Sequence, residues 1–289
     1  MILEEIFLME YNFVLRGNVL YTPQCGALSV HPHSYLVCEG GQVAGIFEEL
    51  PEAYRNFPVE DFGDKMILPG LVDLHVHAGQ YAFRGLGMDQ ELLAWLEQNA
   101  FPEESRFVDA SYAARAYPIF VDALRRSATT RACIFATLHR PATLQLMQLL
   151  EDAGMPCYVG KVNMDRNSPD TLRETTEESL AETRRWLEES RAFSQVRPIL
   201  TPRFIPSCTD ALMAGLGRLQ QEFQVPAQSH LSENLSEIDW VQSLCPDTRF
   251  YGEAYDRVGL FGGACPTIMA HCVWSGAEER ALLKENGVF

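Results

Sequence analysis

The sequence predicts an α/β protein, a parallel sheet with helices outside it in the manner of a (β/α)8 barrel, behind a small N-terminal β domain. Three observations predict this. From residue 67 to the end, short apolar runs alternate with amphipathic stretches in about six strand–helix units. Before that, residues 1–66 hold β-branched and aromatic runs broken by Gly, Pro and Asn, with no helical period. The length of 289 residues suits one large or two unequal domains and is enough to bury a substantial core.

In the first segment, residues 13–17, 35–41 and 42–47 read as strands joined by tight turns. The second opens with a strand over 67–78, followed by helical patterns at 89–99 and 109–127. A strand over 130–138 leads to a helix whose first turn holds Pro141 and which Gly154 closes. The run 157–164 precedes a charged helix over 170–191, and 197–203 precedes a helix at 209–223. Residues 225–230 lead to helical stretches at 232–244 and 251–262, and 267–272 to a helix at 276–286. Gly287 stops that last helix, and Val288-Phe289 reads as the first step of a seventh strand. An open sheet of barrel curvature leaves an edge and an uncovered core. The expectation is therefore either a doubly wound sheet or, preferably, a barrel that is incomplete at its C-terminus, the chain being a fragment.

Charge and cysteine usage exclude several function classes. Lys and Arg number 23 and Asp and Glu 39, a net charge of −16. With no Lys/Arg cluster longer than a pair, the chain suits neither nucleic acid nor anionic lipid. The longest apolar stretch, near 66–72, is interrupted by Pro69-Gly70, whereas a bilayer-spanning helix needs about 20 apolar residues. The acidic start Met1-Ile2-Leu3-Glu4-Glu5 is unlike a signal peptide. Eight scattered cysteines (Cys25, Cys38, Cys133, Cys157, Cys208, Cys245, Cys265 and Cys272) form no CxxC pair and read as free thiols of a reducing, cytoplasmic compartment.

The sharpest chemical signal is Leu68-Pro69-Gly70-Leu71-Val72-Asp73-Leu74-His75-Val76-His77. Side chains alternate along a strand, so His75 and His77 share a face, at the C-terminal end where parallel α/β folds gather catalytic groups. A bare H-x-H is more often two packed or surface histidines. His31-Pro32-His33 is such a case: Pro32 marks a turn or sheet edge, its strand follows it, and both histidines are assigned to the surface. His230 and His271, however, also close strands. Four imidazoles from three strands converging on one rim suit a divalent metal, zinc before iron(II) or manganese. Cys272 points to the opposite face. Glu233, three residues past His230, is placed to move a proton to or from a metal-activated water. On its own it would read as a helix N-terminal or capping-box acid.

Pro-Gly-Leu-Val-Asp-x-His-x-His after a small β domain, with single histidines ending the fifth and sixth strands, resembles the amidohydrolase superfamily. Within it, His77-Ala78-Gly79-Gln80-Tyr81, Leu92–Leu96, Phe101–Phe107, Thr201-Pro202-Arg203-Phe204 and Ser229–Asn234 resemble the guanine deaminase family. The resemblance implies one zinc on His75, His77, His230 and His271. It implies Glu233 as the proton shuttle, Gln80 and Arg203 on the purine edge, Phe204 against the ring, and Leu92 or Trp95 closing the pocket. Guanine is then the substrate, xanthine and ammonia the products, and a homodimer the implied assembly. It also implies a metal-binding aspartate after an eighth strand, and C-terminal strands that complete a small β-sandwich around residues 1–66. The sequence to Phe289 holds neither. Asp165 is expected to be a loop or capping residue rather than a substitute, His139 is a weaker candidate for the site, and Lys161 raises a binuclear alternative that the guanine deaminase motifs oppose. Two further readings stay open: another amidohydrolase acting on a different amino-heterocycle, and a non-catalytic fragment.

Overall fold

The computed structural model describes residues 11–289; Met1–Glu5, read above as unlike an export signal, lie outside them. The chain divides into two compact units between Gly70 and Leu71. The division falls after Ile67 because the strand before it continues that far, pairing Ile67 with Val19.

The first unit is one four-stranded sheet among the described residues. Strands β1 (Phe13–Gln24), β2 (Ala27–Glu39), β3 (Gln42–Phe47) and β4 (Val59–Ile67) lie in the order β3-β2-β1-β4. The β2–β3 hairpin turns on Gly40 and Gly41, both at positive φ, which is the backbone a two-residue hairpin needs. Strand β2 starts earlier than the sequence suggested, so His31-Pro32-His33 lies inside it. Proline is tolerated there because the β1–β2 register shifts between Gly17 and Val19, and β3 pairs only with Tyr35–Glu39.

The second unit alternates parallel strands and helices in chain order. Strand β5 (Leu71–His77) pairs with β6 (Thr129–Phe135), and β6 with β7 (Tyr158–Gly160). The third and fourth predicted strands are each split in two. Strand β7 pairs with β9 (Arg197–Pro198), and β8 (Val162–Asn163) with β10 (Thr201–Pro202). Pro198 and Pro202 lack the N–H that a continuous ladder needs. Leu200 bridges to Ala227 of β11 (Ala227–Leu231), which pairs with β12 (Thr267–His271).

The helices are α1 (Leu92–Trp95), α2 (Phe101–Ser105), α3 (Ala110–Arg125), α4 (Arg140–Asp152), α5 (Thr176–Glu189), α6 (Asp210–Phe223), α7 (Leu235–Leu244), α8 (Glu253–Asp256) and α9 (Ala277–Asn286). Local chemistry sets their ends. A Thr175–Glu178 capping box starts α5 later than the charge pattern suggested, and Asn234–Glu237 starts α7. The helix expected over 251–262 is the single turn α8, because Gly259, Gly262 and Gly263 at positive φ stop it. Helix α4 buries Leu146, Met147 and Leu150, and α5 buries Trp186, against the sheet residues Ile134, Val159 and Leu200. No helix among the described residues is long and apolar enough to cross a membrane.

Candidate metal centre

The strand exits bring the four histidines together. The His75 ring centre lies 4.9 Å from those of His77 and His230 and 4.8 Å from that of His271. One nitrogen each of His75, His230 and His271 lies within 4.8 Å of the others. His77 joins through His230, with their Nε2 atoms 3.1 Å apart. Phe135, at the end of β6, packs 4.6 to 5.0 Å from three of the rings and forms an apolar floor. The exits are sharply bent: Ser232, His271 and Cys272 have φ of 49°, 76° and 53°. Left-handed backbone at non-glycine residues costs about 1–3 kcal/mol each and clusters at functional sites.

The donor set fits a divalent metal. Burial, followed by the neighbouring histidines and Arg203, pushes His75 down to about 3 and His77 and His230 well below the ordinary value. Burial lowers His271 as well. The rings are therefore neutral at pH 7, the form that ligates. Two nitrogens held at 2.0–2.1 Å in a tetrahedral shell lie about 3.3 Å apart, close to the His77–His230 separation. Nδ1 of His230 faces the Arg203 carbonyl at 2.5 Å, which orients Nε2 towards the cluster, whereas the buried Nδ1 atoms of His75 and His77 have no partner among the described residues.

Glu233 stands just past β11, its Oε2 3.3 Å from His271 Nε2. The capping role that might have explained it belongs instead to Glu237. That carboxylate accepts the N–H groups of Glu233 and Asn234 at 3.0 and 3.4 Å, and the Tyr251 hydroxyl at 2.9 Å. Burial, with Glu237 second, pushes Glu233 up to about 7, so near neutrality its carboxyl group both takes and gives a proton.

A cavity of about 140 Å³ joins these groups to Gln80, Arg203 and Phe204, with Leu92, Trp95 and Leu96 on its walls. Gln80 comes from the 3-10 turn that follows β5, and Arg203 follows β10. Both are held by Glu104 of α2, which the sequence reading did not single out. Its Oε1 accepts from Gln80 Nε2 at 2.9 Å and its Oε2 from Arg203 Nη1 at 2.6 Å. In the sequence, Glu103-Glu104 after Pro102 looks like the ordinary acidic first turn of a helix.

The remaining candidates lie elsewhere. Asp165 accepts from the Thr209 N–H at 2.7 Å and from the Thr176 hydroxyl at 2.6 Å, a capping role at the start of α6. Lys161 bonds Glu174 at 2.8 Å, and His139 lines a separate cavity with Arg140, Glu174 and Glu182. Cys272 Sγ turns to the Met269 carbonyl at 3.5 Å. In the other unit, His31 pairs with Ser29 at 2.8 Å.

Comparison with known proteins agrees with this geometry. A guanine deaminase of Dictyostelium discoideum is 38% identical over 96% of this chain and 66% of its own length. One from Rattus norvegicus is 41% identical over 96% of this chain and 63% of its own. A crystal structure of guanine deaminase from C. acetobutylicum, with guanine bound in the active site, superposes with a TM-score of 0.92 at 45% identity, covering 96% of this chain and 66% of that one. The chain thus spans just under two thirds of the length of these relatives. Residues 66–288 match the model of the amidohydrolase family, and that stretch holds every strand that delivers an imidazole. The chain belongs to the amidohydrolase family.

Proposed function

We propose that this chain carries the site of a zinc-dependent guanine deaminase, which hydrolyses guanine to xanthine and ammonia. The observation that carries the proposal is a single cavity lined by four neutral imidazoles, one carboxyl group poised near neutrality, and the Gln80–Arg203 pair. Relatives named guanine deaminase over 96% of the chain support the choice of substrate. His75, His77, His230 and His271 would hold the metal, and an all-nitrogen set favours zinc. When bound, zinc supplies a Lewis acid that makes a water acidic enough to attack at neutral pH.

The protein's own groups account for the rest. Gln80 and Arg203 hold the polar edge of the planar base while Phe204 covers its face, which fixes the amine-bearing carbon towards the histidines. Glu233 takes one proton of the attacking water and gives it to the ring nitrogen as the C–O bond forms; it then takes the remaining hydroxyl proton and gives it to the amine, so that C=O forms as the C–N bond breaks and ammonia leaves. Leu92, Trp95 and Leu96 exclude bulk water from that exchange. On the same proposal, the parallel strands are six of a (β/α)8-type barrel and the N-terminal sheet is one layer of a small β-sandwich. Phe289, whose N–H and carbonyl pair with Thr267 and Met269 of β12 at 3.0 and 2.8 Å, supports the first of these.

The test is to incubate the purified, zinc-loaded protein with guanine. The expected result is loss of the guanine ultraviolet band, with xanthine and ammonia formed in equal amounts. A protein that holds zinc and leaves guanine intact would overturn the proposal, in favour of another amino-heterocycle if one is turned over and of a non-catalytic fragment if none is.

A further inference from the structure

We propose that Glu104 is a positioning residue that sets the donor–acceptor code of the pocket, and so selects planar heterocycles that present a ring N–H beside an acceptor. The proposal deepens the guanine reading and rests on it. Glu104 is 1% exposed, and its two oxygens are divided between Gln80 and Arg203. An ionised carboxylate only accepts hydrogen bonds, so the Gln80 amide must turn its nitrogen towards Glu104 and its carbonyl oxygen towards the cavity that Gln80 lines. Arg203 gives Nη1 to Glu104, and the other N–H groups of its guanidinium serve the cavity as donors. One buried carboxylate thereby fixes an acceptor on one side of the pocket and donors on the other.

The neighbourhood is built to hold that arrangement. Phe101, from the same short helix, lies under the Arg203 guanidinium at 5.1 Å, so the ring and the carboxylate fix its plane and one end together. Gly79 lets the chain pass close by, since a Cβ there would come within 2.9 Å of Thr137 Cγ2 and 3.4 Å of Glu104 Cγ. Neutralising the carboxylate releases the code. In Glu104→Gln the new amide donates as well as accepts, and Gln80 is free to flip its nitrogen into the pocket. Exchanging the pair, Gln80→Glu with Glu104→Gln, restores it, because a carboxylate at position 80 again offers an acceptor to the pocket while the amide at 104 donates to it.

The experiment compares wild type, E104Q and Q80E/E104Q, all zinc-loaded, for guanine turnover and for the Kd of hypoxanthine, which keeps the lactam edge and has no amine to lose. The expected result is a fall of about 10- to 100-fold in guanine kcat/KM and in hypoxanthine affinity for E104Q. The exchanged pair should recover most of both, while zinc content stays close to wild type in both variants. A merely structural carboxylate would not be rescued by moving the charge to position 80. If E104Q stays within about twofold of wild type, or the exchanged pair is no better than E104Q, the proposal is overturned. A wild type that binds hypoxanthine and leaves guanine intact sinks the assigned reaction, while the order of the three Kd values still decides the role of Glu104.

Discussion

Two polar clusters lie at the strand ends of the second unit, and the fold treats them in opposite ways. Lys161, fully buried between β7 and β8, is closed by Glu174 at 2.8 Å, and next to it Asn163 donates to Ser179 and Thr183 at 2.9 and 2.7 Å, although its Oδ1 has no partner among the described residues. The histidine cluster is more open to solvent: His230 is buried, His75 and His77 are half-buried and His271 is exposed. Among the described residues its only side-chain carboxylate contact is that of Glu233 with His271 at 3.3 Å, and the Nδ1 atoms of His75 and His77 are unpaired. What separates the clusters is charge: the Lys161 ammonium is neutralised by its own carboxylate, whereas four neutral imidazoles face one another with room for a cation, as the proposed metal site requires. On the proposed function, the first cluster is structural and the second carries the chemistry. The comparison also removes the binuclear alternative's anchor, since Lys161 is already committed to Glu174.

The most damaging way to test the open cluster is to remove a ring from it. His230→Ala deletes the imidazole that the Arg203 carbonyl orients and that the other three surround. Bound zinc should fall to near zero by atomic absorption, and guanine turnover should drop below detection, well beyond the roughly 10- to 100-fold typical of losing an outer partner of a metal ligand. Retention of a full equivalent of zinc would show that the cluster is not the metal site. Glu233→Gln comes next. It keeps the shape of the side chain and removes the proton carrier, so kcat should fall about 10²- to 10⁴-fold with zinc content unchanged. An E233Q protein with wild-type kcat would assign proton transfer to another group.

How much of this was readable in the sequence depends on the range of the interactions involved. The histidines were legible because strand alternation and strand-end position are local properties: H-x-H on β5 and single histidines closing β11 and β12 need no tertiary knowledge. The helix starts at Thr175 and Asn234 carry equally local capping signals, although only the first turn of α5 reveals that the charged stretch before it is not helical. Glu104 was not legible. Its role arises from meeting Gln80 and Arg203, 24 and 99 residues away in sequence, and nothing in its own turn distinguishes it from a dipole-stabilising acid. The splitting of the third and fourth strands had a visible cause in Pro198 and Pro202, but the partners β8 and β10 take over pairing in a register that only the assembled sheet fixes.

Breaking the closed cluster should give a smaller effect of a different kind. Lys161→Met strands Glu174, 14% exposed, beside an apolar side chain and should lower unfolding free energy by about 3 kcal/mol in urea titrations. Lys161→Met with Glu174→Leu should recover to within about 1 kcal/mol of wild type, because a matched apolar pair replaces the ion pair without leaving a lone charge. Neither protein should lose zinc. A loss of zinc in either would join the two clusters and undo the contrast between them.

The smallest expected effect comes from a carboxylate that is satisfied at the surface. Glu151, at the end of α4, accepts from the Ser194 hydroxyl and from the N–H groups of Ser194, Gln195 and Val196 at 2.9, 3.0 and 2.9 Å. The Ser194 hydroxyl first, and then these amides, hold it down to about 2 from an ordinary 4.5. A folded-state value below the unfolded one means that the unfolded chain binds the proton more readily. The stabilisation is therefore complete above pH 4.5 and is lost as pH falls towards 2. Glu151→Gln keeps the shape and removes the charge, so at pH 7 it should cost about 1 kcal/mol by urea unfolding. That gap should narrow steadily between pH 4.5 and 3 as the wild-type carboxylate begins to protonate. A gap that is the same at pH 7 and pH 3 would mean that shape alone, and not the charge, holds the chain after α5 against the end of α4.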